Sequence, residues 1–229
     1  MEYPHNRPYT ADDLVRIITL LRDPVNGCPW DKVQTHTSIR MNFLEEAYEA
    51  VDALDLDDPV LMCEELGDVL MQVAFHTCME QETGRFTWEQ VCDGVCQKLI
   101  ERHPNIFGTQ PGYEGITDWD ALKNKEKGRR TLADDLESVP RAMPALMRAA
   151  KLQKRAARHG AALQGADVVA LADAAENLQT AQPASAQAEQ AVGELLFAAA
   201  NLAWQAGVDP EQALQKANEA FCTAAGPVA

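Results

Sequence analysis

Positive charge is scarce in this sequence. Its 229 residues include 20 lysines and arginines against 35 aspartates and glutamates, a formal net charge of −15. Because phosphate groups repel a surface of that sign, we expect no broad footprint on nucleic acid or on an anionic membrane. Long apolar runs and the apolar core of a signal peptide are also missing. These absences predict a cytoplasmic protein without nucleic-acid or membrane partners. If its ligand is an anion, a metal or a few clustered cations must bind it.

Cysteine is present, but without the spacing of a metal site or a disulfide framework. The six cysteines are scattered, and none stands in a Cys-x-x-Cys pair. Most fall within apolar helical patterns, so we expect reduced thiols packed in the core. Strand patterns are missing too, and helical periodicity with short connections runs through the chain. The sequence therefore predicts an all-α protein of antiparallel helical bundles.

Two pairs of acidic residues stand in neighbouring apolar helical patterns within residues 43–76. Glu46 and Glu49 form the first pair, and Glu65 and Asp68 form the second. Residues three apart lie on one face of a helix, so each pair directs two carboxylates to the same side. Acids on a helix can simply keep one face solvated. Here apolar residues surround much of both helices, so some of these acids should border the core, where they need a partner or a metal.

A short acidic turn separates the two patterns. Asp58 is placed to cap the second helix and Pro59 to occupy its first position, which predicts an antiparallel hairpin. The four carboxylates would then converge. Like charges at such distances raise one another's pKa unless a cation lies between them. Oxygen ligands without cysteine or histidine favour a hard ion, Mg²⁺ or alternatively Mn²⁺.

The second half of the sequence resembles the first, so comparing the two shows which chemical groups were kept in both. GDVLMQVAFHT at 67–77 corresponds to GELLFAAANLA at 193–203. Ala191 then replaces one of the four acids, so one ligand oxygen is lost. The residues in register with the four acids are Asp173, Glu176, Ala191 and Glu194.

Lys98 and Arg102 close a later helical pattern, just before Pro104. Alanines stand at the corresponding positions of the second half, Ala220 and Ala224. Cations at a helix end oppose the helix dipole favourably, and they would also suit a phosphate site. Because the second half keeps the apolar pattern and loses these groups, we expect a functional site in the first half only.

Five motifs in a fixed order carry a family resemblance. They are GCPWD at 27–31, QTHTSI at 34–39, LEEAYE at 44–49, EELGDVLMQVAF at 64–75 and KLIERHPNIF at 98–107. In this order they resemble MazG, the nucleoside triphosphate pyrophosphohydrolase family. The resemblance is strong to residue 107 and again at PALMRAAKLQKRAA, and weak elsewhere.

The resemblance implies an all-α homodimer that binds Mg²⁺ and hydrolyses a nucleoside triphosphate to the monophosphate and diphosphate, removing aberrant or surplus nucleotides. The four acids would be the metal ligands, and the metal would activate a water for attack at the α-phosphorus. Lys98 and Arg102 would contact the polyphosphate, and Trp30 would lie near the base or ribose, unless it is a hydrophobic plug. Glu45 is our candidate for the general base, unless it only faces solvent. His36 and His76 show no partner pattern and are left out of the site.

The resemblance also implies tandem MazG-like bundles, and the lost acid and cations of the second half make the second copy degenerate. We expect a catalytic domain over residues 1–127, an exposed linker over 128–139, and a degenerate domain over 140–229 that supports folding or dimerisation or binds nucleotide weakly. The alternative is a non-catalytic nucleotide-binding or regulatory module, which the complete ligand set of the first half disfavours. A dimetal-carboxylate oxidase would need a Glu-x-x-His pair on each of two helices, and neither acidic helix has one.

Overall fold

The computed structural model describes residues 2–5, 7–108, 119–161 and 163–226, with no side chains for 119–121. Within these ranges the regular structure is ten α-helices and one 3₁₀ helix, without a strand. No helix in them combines the length and the apolar character needed to cross a bilayer. The all-α prediction is confirmed. Two compact units share the chain: the first unit, Met1–Ile116, and the second unit, Thr117–Ala229.

Local capping chemistry starts the helices of the first unit. Thr10, Thr35 and Thr87 each accept an N–H bond from the third residue of the following helix, whose side chain accepts the threonine's own N–H. These capping boxes satisfy N–H groups that a helix start leaves open. The helices are α1 (Ala11–Leu21), α2 (His36–Asp55), α3 (Pro59–Glu82) and α4 (Trp88–Arg102), and the 3₁₀ helix is Asp31–Val33.

The predicted turn between the acidic helices is confirmed. The Asp58 carboxylate accepts the backbone N–H groups of Val60 and Leu61 at 2.9 and 3.1 Å. Pro59 occupies the first turn of α3, where its missing N–H is not needed. Because so few residues connect α2 to α3 and the two helices pack against each other, they form an antiparallel hairpin.

The core of the first unit lies around the C-terminal half of α3. There α1, α2 and α4 all contribute side chains, so α3 is covered on several sides. Its buried apolar members are Val15, Ile18, Ile39, Ala74, Phe75, Cys78, Met79 and Trp88.

The acid-bearing half of the hairpin extends beyond this core. Val51 and Leu54 of α2 are 50% and 54% exposed, and Leu66 and Leu70 of α3 are 53% and 40% exposed. The apolar residues expected to bury the acids are therefore uncovered within one chain. Exposed apolar side chains on one helical hairpin are typical of an interaction face.

The second unit repeats the packing order of the first. Its helices are α5 (Trp119–Glu126), α6 (Leu132–Glu137), α7 (Ala145–Arg158), α8 (Val168–Thr180), α9 (Ala186–Gln205) and α10 (Pro210–Ala225). Here α7, α8 and α10 pack on α9 as α1, α2 and α4 pack on α3. This order supports the tandem interpretation, and the degeneracy of the second copy stays a prediction.

Residues 128–139 differ from the exposed linker that we expected. They contain α6, whose Asp135 carboxylate is fully buried 3.0 Å from Arg155 Nη1 and 3.1 Å from His159 Nε2. Val139 is only 1% exposed. The segment has a polar composition, but its polar groups pair with α7 of the second unit. The two units accordingly divide after Ile116, earlier than the expected boundary at 127.

The expectation of core thiols is confirmed for one cysteine and wrong for three. Cys78 is buried in the first-unit core, and none of the six cysteines forms a disulfide. The apolar helical patterns around the others continue onto surface that the chain leaves uncovered. Cys28 and Cys92 are half-buried, and Cys63, Cys96 and Cys222 are exposed.

Candidate functional site

Three of the four predicted acids lie together on the α2–α3 hairpin. Glu46, Glu49 and Glu65 each offer a carboxylate oxygen, and these oxygens all lie within 4.8 Å of one another. Asp68, one turn further along α3, is outside this close group. Its charge still raises the pKa of both Glu46 and Glu65, so it acts on the same site.

The carboxylates of this group disfavour one another's ionised form. Burial raises the pKa of Glu46, and the charges of Asp68, Glu49 and Glu45 raise it further. Burial is likewise the main cause of the raised pKa of Glu65, followed by the charge of Glu49. No lysine or arginine in the described part of the chain forms an ion pair with the three grouped acids. A cation between them would remove the repulsion.

The donor set fits a hard divalent cation. It consists of oxygens only, and a separation of up to 4.8 Å lets the oxygens meet on one ion at ordinary metal–oxygen distances of about 2.0–2.6 Å. Two ligands come from α2 and one from α3, so the metal would also join the two helices. Among the described residues, these are the three acidic, cysteine or histidine side chains whose ligand atoms all lie within 4.8 Å of one another.

Gln72 is a site neighbour that sequence reasoning missed. Its side chain is buried on α3, one turn beyond Asp68, and its Nε2 donates to Glu46 Oε1 at 3.3 Å. This hydrogen bond opposes the rise in the pKa of Glu46 and fixes the carboxylate's orientation. A glutamine within an apolar helical pattern gives no signal of this contact.

The other predicted site residues lie in the first unit, with their roles still predictions. Glu45 is exposed on α2, and its charge acts on Glu46. Trp30 precedes the 3₁₀ helix and is 56% exposed. Lys98 is exposed near the end of α4 and makes no hydrogen bond or ion pair with another described residue. Arg102 is half-buried in the last turn of that helix.

A histidine pair outside the predicted site links the two acidic helices, a contact that no sequence pattern indicated. His36 Nδ1 lies 2.7 Å from His76 Nδ1, and the rings stack with centroids 5.0 Å apart. His36 Nε2 lies 2.5 Å from the buried carboxylate of Glu80, which also pairs with Arg85 at 2.6 Å. These contacts fasten the start of α2 to the C-terminal end of α3. The sequence could not show them, because 40 residues separate the two histidines.

The second unit has carboxylates at the corresponding helices, but fewer of them. A cavity of about 680 Å³ between α8 and α9 is lined by Asp173 and Glu194, together with Gly193 and Phe197. Ala191 is buried and supplies no ligand oxygen. The described residues of this unit contain no group of three candidate ligands.

Comparison with known proteins agrees with this geometry. The family model described as the MazG nucleotide pyrophosphohydrolase domain matches residues 34–107, which include the four acids, Lys98 and Arg102. A nucleoside triphosphate pyrophosphohydrolase of Escherichia coli K12 is 41% identical over 219 residues, covering 92% of this chain and 83% of that protein. The nucleoside triphosphate pyrophosphohydrolase/pyrophosphatase MazG of Thermotoga maritima is 39% identical over 212 residues, covering 92% and 82%.

A more distant relative covers less of both chains. The nucleoside triphosphate pyrophosphohydrolase of Mycobacterium tuberculosis is 35% identical over 154 residues, which are 66% of this chain and 46% of that protein. The similarity to the two longer matches extends over both units, and the matched family segment contains the converging carboxylates. The chain therefore belongs to the MazG nucleotide pyrophosphohydrolase family.

Proposed function

We propose that this chain is a Mg²⁺-dependent nucleoside triphosphate pyrophosphohydrolase whose active site lies in the first unit. The observation that supports it most is the convergence of Glu46, Glu49 and Glu65 on one hairpin within the matched family segment. Relatives with this activity in their names align over most of the chain. The reaction would convert a nucleoside or deoxynucleoside triphosphate and water to the monophosphate and diphosphate.

The first-unit residues divide the work of this reaction. Mg²⁺, or Mn²⁺ in its place, would be held by the three grouped acids and Asp68, where it supplies charge neutralisation and a water of lowered pKa. Glu45 stands beside this group as the proton acceptor. Lys98 and Arg102 offer cations to the polyphosphate, which the acidic chain otherwise repels. Trp30 offers an exposed aromatic face to the base or ribose.

The same hairpin suits a homodimer. Its exposed apolar side chains lie on the same two helices as Glu46 and Glu65, which are half-buried in one chain, and Glu49, which is exposed. A second copy covering Val51, Leu54, Leu66 and Leu70 would remove this apolar surface from water and deepen the burial of the acids. A drier site strengthens the attraction between the carboxylates, a cation and phosphate oxygens. Dimerisation would thus contribute to metal and substrate binding as well as to stability.

Hydrolysis in ¹⁸O-labelled water tests the proposed reaction. The purified chain is incubated with a panel of ribo- and deoxyribonucleoside triphosphates and Mg²⁺, and the products are analysed by mass spectrometry. Attack at the α-phosphorus places the label in the monophosphate and leaves the diphosphate unlabelled. Label in the diphosphate, or release of inorganic phosphate, would contradict the proposal. An inert chain that still binds nucleotide would favour the non-catalytic binding or regulatory module.

A further inference from the structure

The segment from residue 22 to residue 35, which we call the Trp30 loop, has a tightly determined backbone. The Asp23 carboxylate accepts the N–H groups of Val25 and Asn26 at 3.0 and 2.7 Å. The N–H of Gly27 donates to the Asp23 carbonyl at 2.9 Å, and that of Cys28 donates to the carbonyl of Leu21, the last residue of α1, at 2.8 Å. A Cβ at Gly27 would lie 2.4 Å from two carbonyl oxygens, so this turn requires glycine. The loop is irregular in form but held in one conformation.

Arg22, the first residue of this loop, is only 9% exposed. Its Nε and Nη2 donate to the two carboxylate oxygens of Glu82 at 2.5 and 2.8 Å, a bidentate pair. The guanidinium carbon also lies 5.3 Å from the centre of the Phe75 ring. The charge of Arg22 is thereby balanced, and the plane of its guanidinium is fixed by α3.

The remaining donor of Arg22 holds the far end of the loop. Nη1 donates to the carbonyl oxygen of Asp31, the first residue of the 3₁₀ helix, at 2.8 Å and to that of Gln34, which follows the helix, at 3.2 Å. The side-chain amide of Gln34 in turn donates to the carbonyl oxygen of Trp30 at 2.9 Å. The backbone of Trp30 is therefore fixed next to its ring, while the ring itself is 56% exposed.

An exposed aromatic ring on a fixed backbone is prepared for stacking. Binding a flat ligand on such a ring requires little loss of backbone freedom, since the loop is already ordered. Two of the four hydrogen bonds of Arg22 hold the loop backbone at Asp31 and Gln34, just after Trp30, and the other two hold the guanidinium on Glu82.

We propose that Arg22, oriented by Glu82, is a positioning residue that places Trp30 for nucleobase binding. This inference rests on the proposed function, and within it on the contact of Trp30 with the base or ribose. Lysine cannot replace Arg22, because it lacks the planar fork that contacts the Glu82 carboxylate and two backbone carbonyls together. The metal-binding acids lie on other elements, so the loss of Arg22 weakens nucleotide binding and leaves the chemical step unchanged.

Calorimetry on the full chain with Mg²⁺ tests this proposal. The probe is the α,β-methylene analogue of whichever triphosphate the chain hydrolyses fastest, so that binding is measured without turnover. Trp30→Ala and Arg22→Lys should each raise the Kd by about tenfold, the usual scale for one base stacked on one aromatic ring. The double variant should be no weaker than either single variant, because both changes remove the same contact. At saturating substrate, kcat of Arg22→Lys should stay within about twofold of the wild type.

Two further variants separate positioning from folding. Gln34→Ala removes the bond to the Trp30 carbonyl at the surface and should raise the Kd by about threefold, a smaller effect than loss of the ring. Arg16→Lys, an exposed arginine of α1, is the matched control and should bind like the wild type. Circular dichroism identifies a temperature at which every variant is folded, and all titrations are made there.

The outcomes distinguish this proposal from the proposed function. If the wild type hydrolyses and binds while Arg22→Lys and Gln34→Ala both bind like it, the positioning role is wrong and the proposed function stands. Additive losses in the double variant would also overturn it, because Arg22 would then act independently of Trp30. A Trp30→Ala variant with unchanged Kd overturns both the stacking contact and the positioning role. A wild type that neither binds nor hydrolyses nucleotide overturns the proposed function itself.

Discussion

Opposing influences meet at Glu46. Burial and the neighbouring acids Asp68, Glu49 and Glu45 raise its pKa, and the hydrogen bond from Gln72 opposes that rise. A carboxyl group with a raised pKa in the folded state stabilises the fold at acidic pH and loses this contribution as the pH rises through the folded pKa. At neutral pH without metal, ionised Glu46 therefore works against the fold. This is the arrangement expected of a residue selected for binding a cation.

Replacing Glu46 by glutamine should separate stability from metal binding. Glu46→Gln removes the repelled charge, so the metal-free variant should melt slightly above the wild type at neutral pH. It should also lose stabilisation by Mg²⁺, which for the wild type amounts to about 2.7 kcal/mol at about 100 times the Kd. Thermal melts with and without Mg²⁺ check both effects, with Glu194→Gln of the second unit as the control. A variant that Mg²⁺ still stabilises fully would exclude Glu46 as a ligand.

Gln72 should support metal binding without contributing to the fold. Its Nε2 holds Glu46, while its buried Oε1 has no described hydrogen-bond partner. Gln72→Leu keeps the approximate volume and removes the unpaired oxygen, so its melting temperature should not fall. Residues that orient a metal ligand usually strengthen metal binding, so the Mg²⁺ concentration that Gln72→Leu needs for half-maximal activity should rise by about 10- to 100-fold. Activity as a function of Mg²⁺ concentration tests this, and an unchanged requirement would show that Glu46 needs no such support.

The α2–α3 hairpin is the element on which the site depends, and it is fastened away from the acids. His36 of α2 contacts His76 and Glu80 of α3. The Phe43 ring lies beside the His76 ring, and Arg85 pairs with Glu80. Of two ring nitrogens 2.7 Å apart, one must donate and the other accept, so the pair is stable while at least one nitrogen is unprotonated. Burial lowers the pKa of His76, and the charge of His36 lowers it further.

The histidine pair should make stability depend on pH. His76 binds its proton more weakly in the folded chain than in the unfolded chain, so protonation favours unfolding and stability falls with falling pH. Between about pH 7 and about pH 5.5 the wild type should lose more melting temperature than His76→Gln, in which an uncharged glutamine replaces the ring whose pKa folding lowers. Melts across this range, with Mg²⁺ absent, measure the difference. Parallel curves for the two proteins would show that the pair does not control stability.

Local chemistry made the helix boundaries predictable, whereas contacts distant in sequence escaped prediction. The Asp58–Pro59 turn could be predicted because its hydrogen bonds join residues only two and three apart. The same spacing placed Glu46, Glu49 and Glu65 together once the hairpin was inferred. The burial of α6 depends on ion pairs with α7, and the His36–His76 contact depends on how α2 packs against α3; neither is visible in the local sequence.

Exposure was equally hard to predict at the element scale. Apolar periodicity shows which face of a helix avoids water, but it does not show whether the same chain or another one covers that face. The thiols of Cys63 and Cys96 were expected in the core and lie on such uncovered surface. The same ambiguity applies to Leu54 and Leu66, which are about half exposed.

At the scale of the whole molecule, two units with one packing order carry different ligand sets. The first has three converging acids, and the second has Asp173 and Glu194 at its cavity with Ala191 between the helices. We propose that the second unit supports folding or assembly while the first unit does the chemistry. We propose that two chains associate through the exposed apolar residues of the first-unit hairpin.

Assembly through this face should be sensitive to one charge. Leu54→Glu places a carboxylate within the apolar surface of α2, where a second copy could cover it only at a high desolvation cost. Light scattering after size exclusion should show a dimer for the wild type and a monomer for the variant. Val168→Glu, a substitution at another exposed apolar residue, is the control and should stay dimeric. A dimeric Leu54→Glu variant would show that the chains associate through a different surface.

The most direct test of an active site in the first unit compares two matched substitutions. Glu65→Gln and Glu194→Gln each replace one glutamate on corresponding helices, α3 and α9. With Mg²⁺ and the preferred triphosphate, loss of a metal-ligating acid should lower kcat/KM by at least about 100-fold in Glu65→Gln. Glu194→Gln should retain the wild-type rate of monophosphate and diphosphate formation. An active Glu65→Gln variant, or an inactive Glu194→Gln variant, would contradict the assignment of catalysis to the first unit.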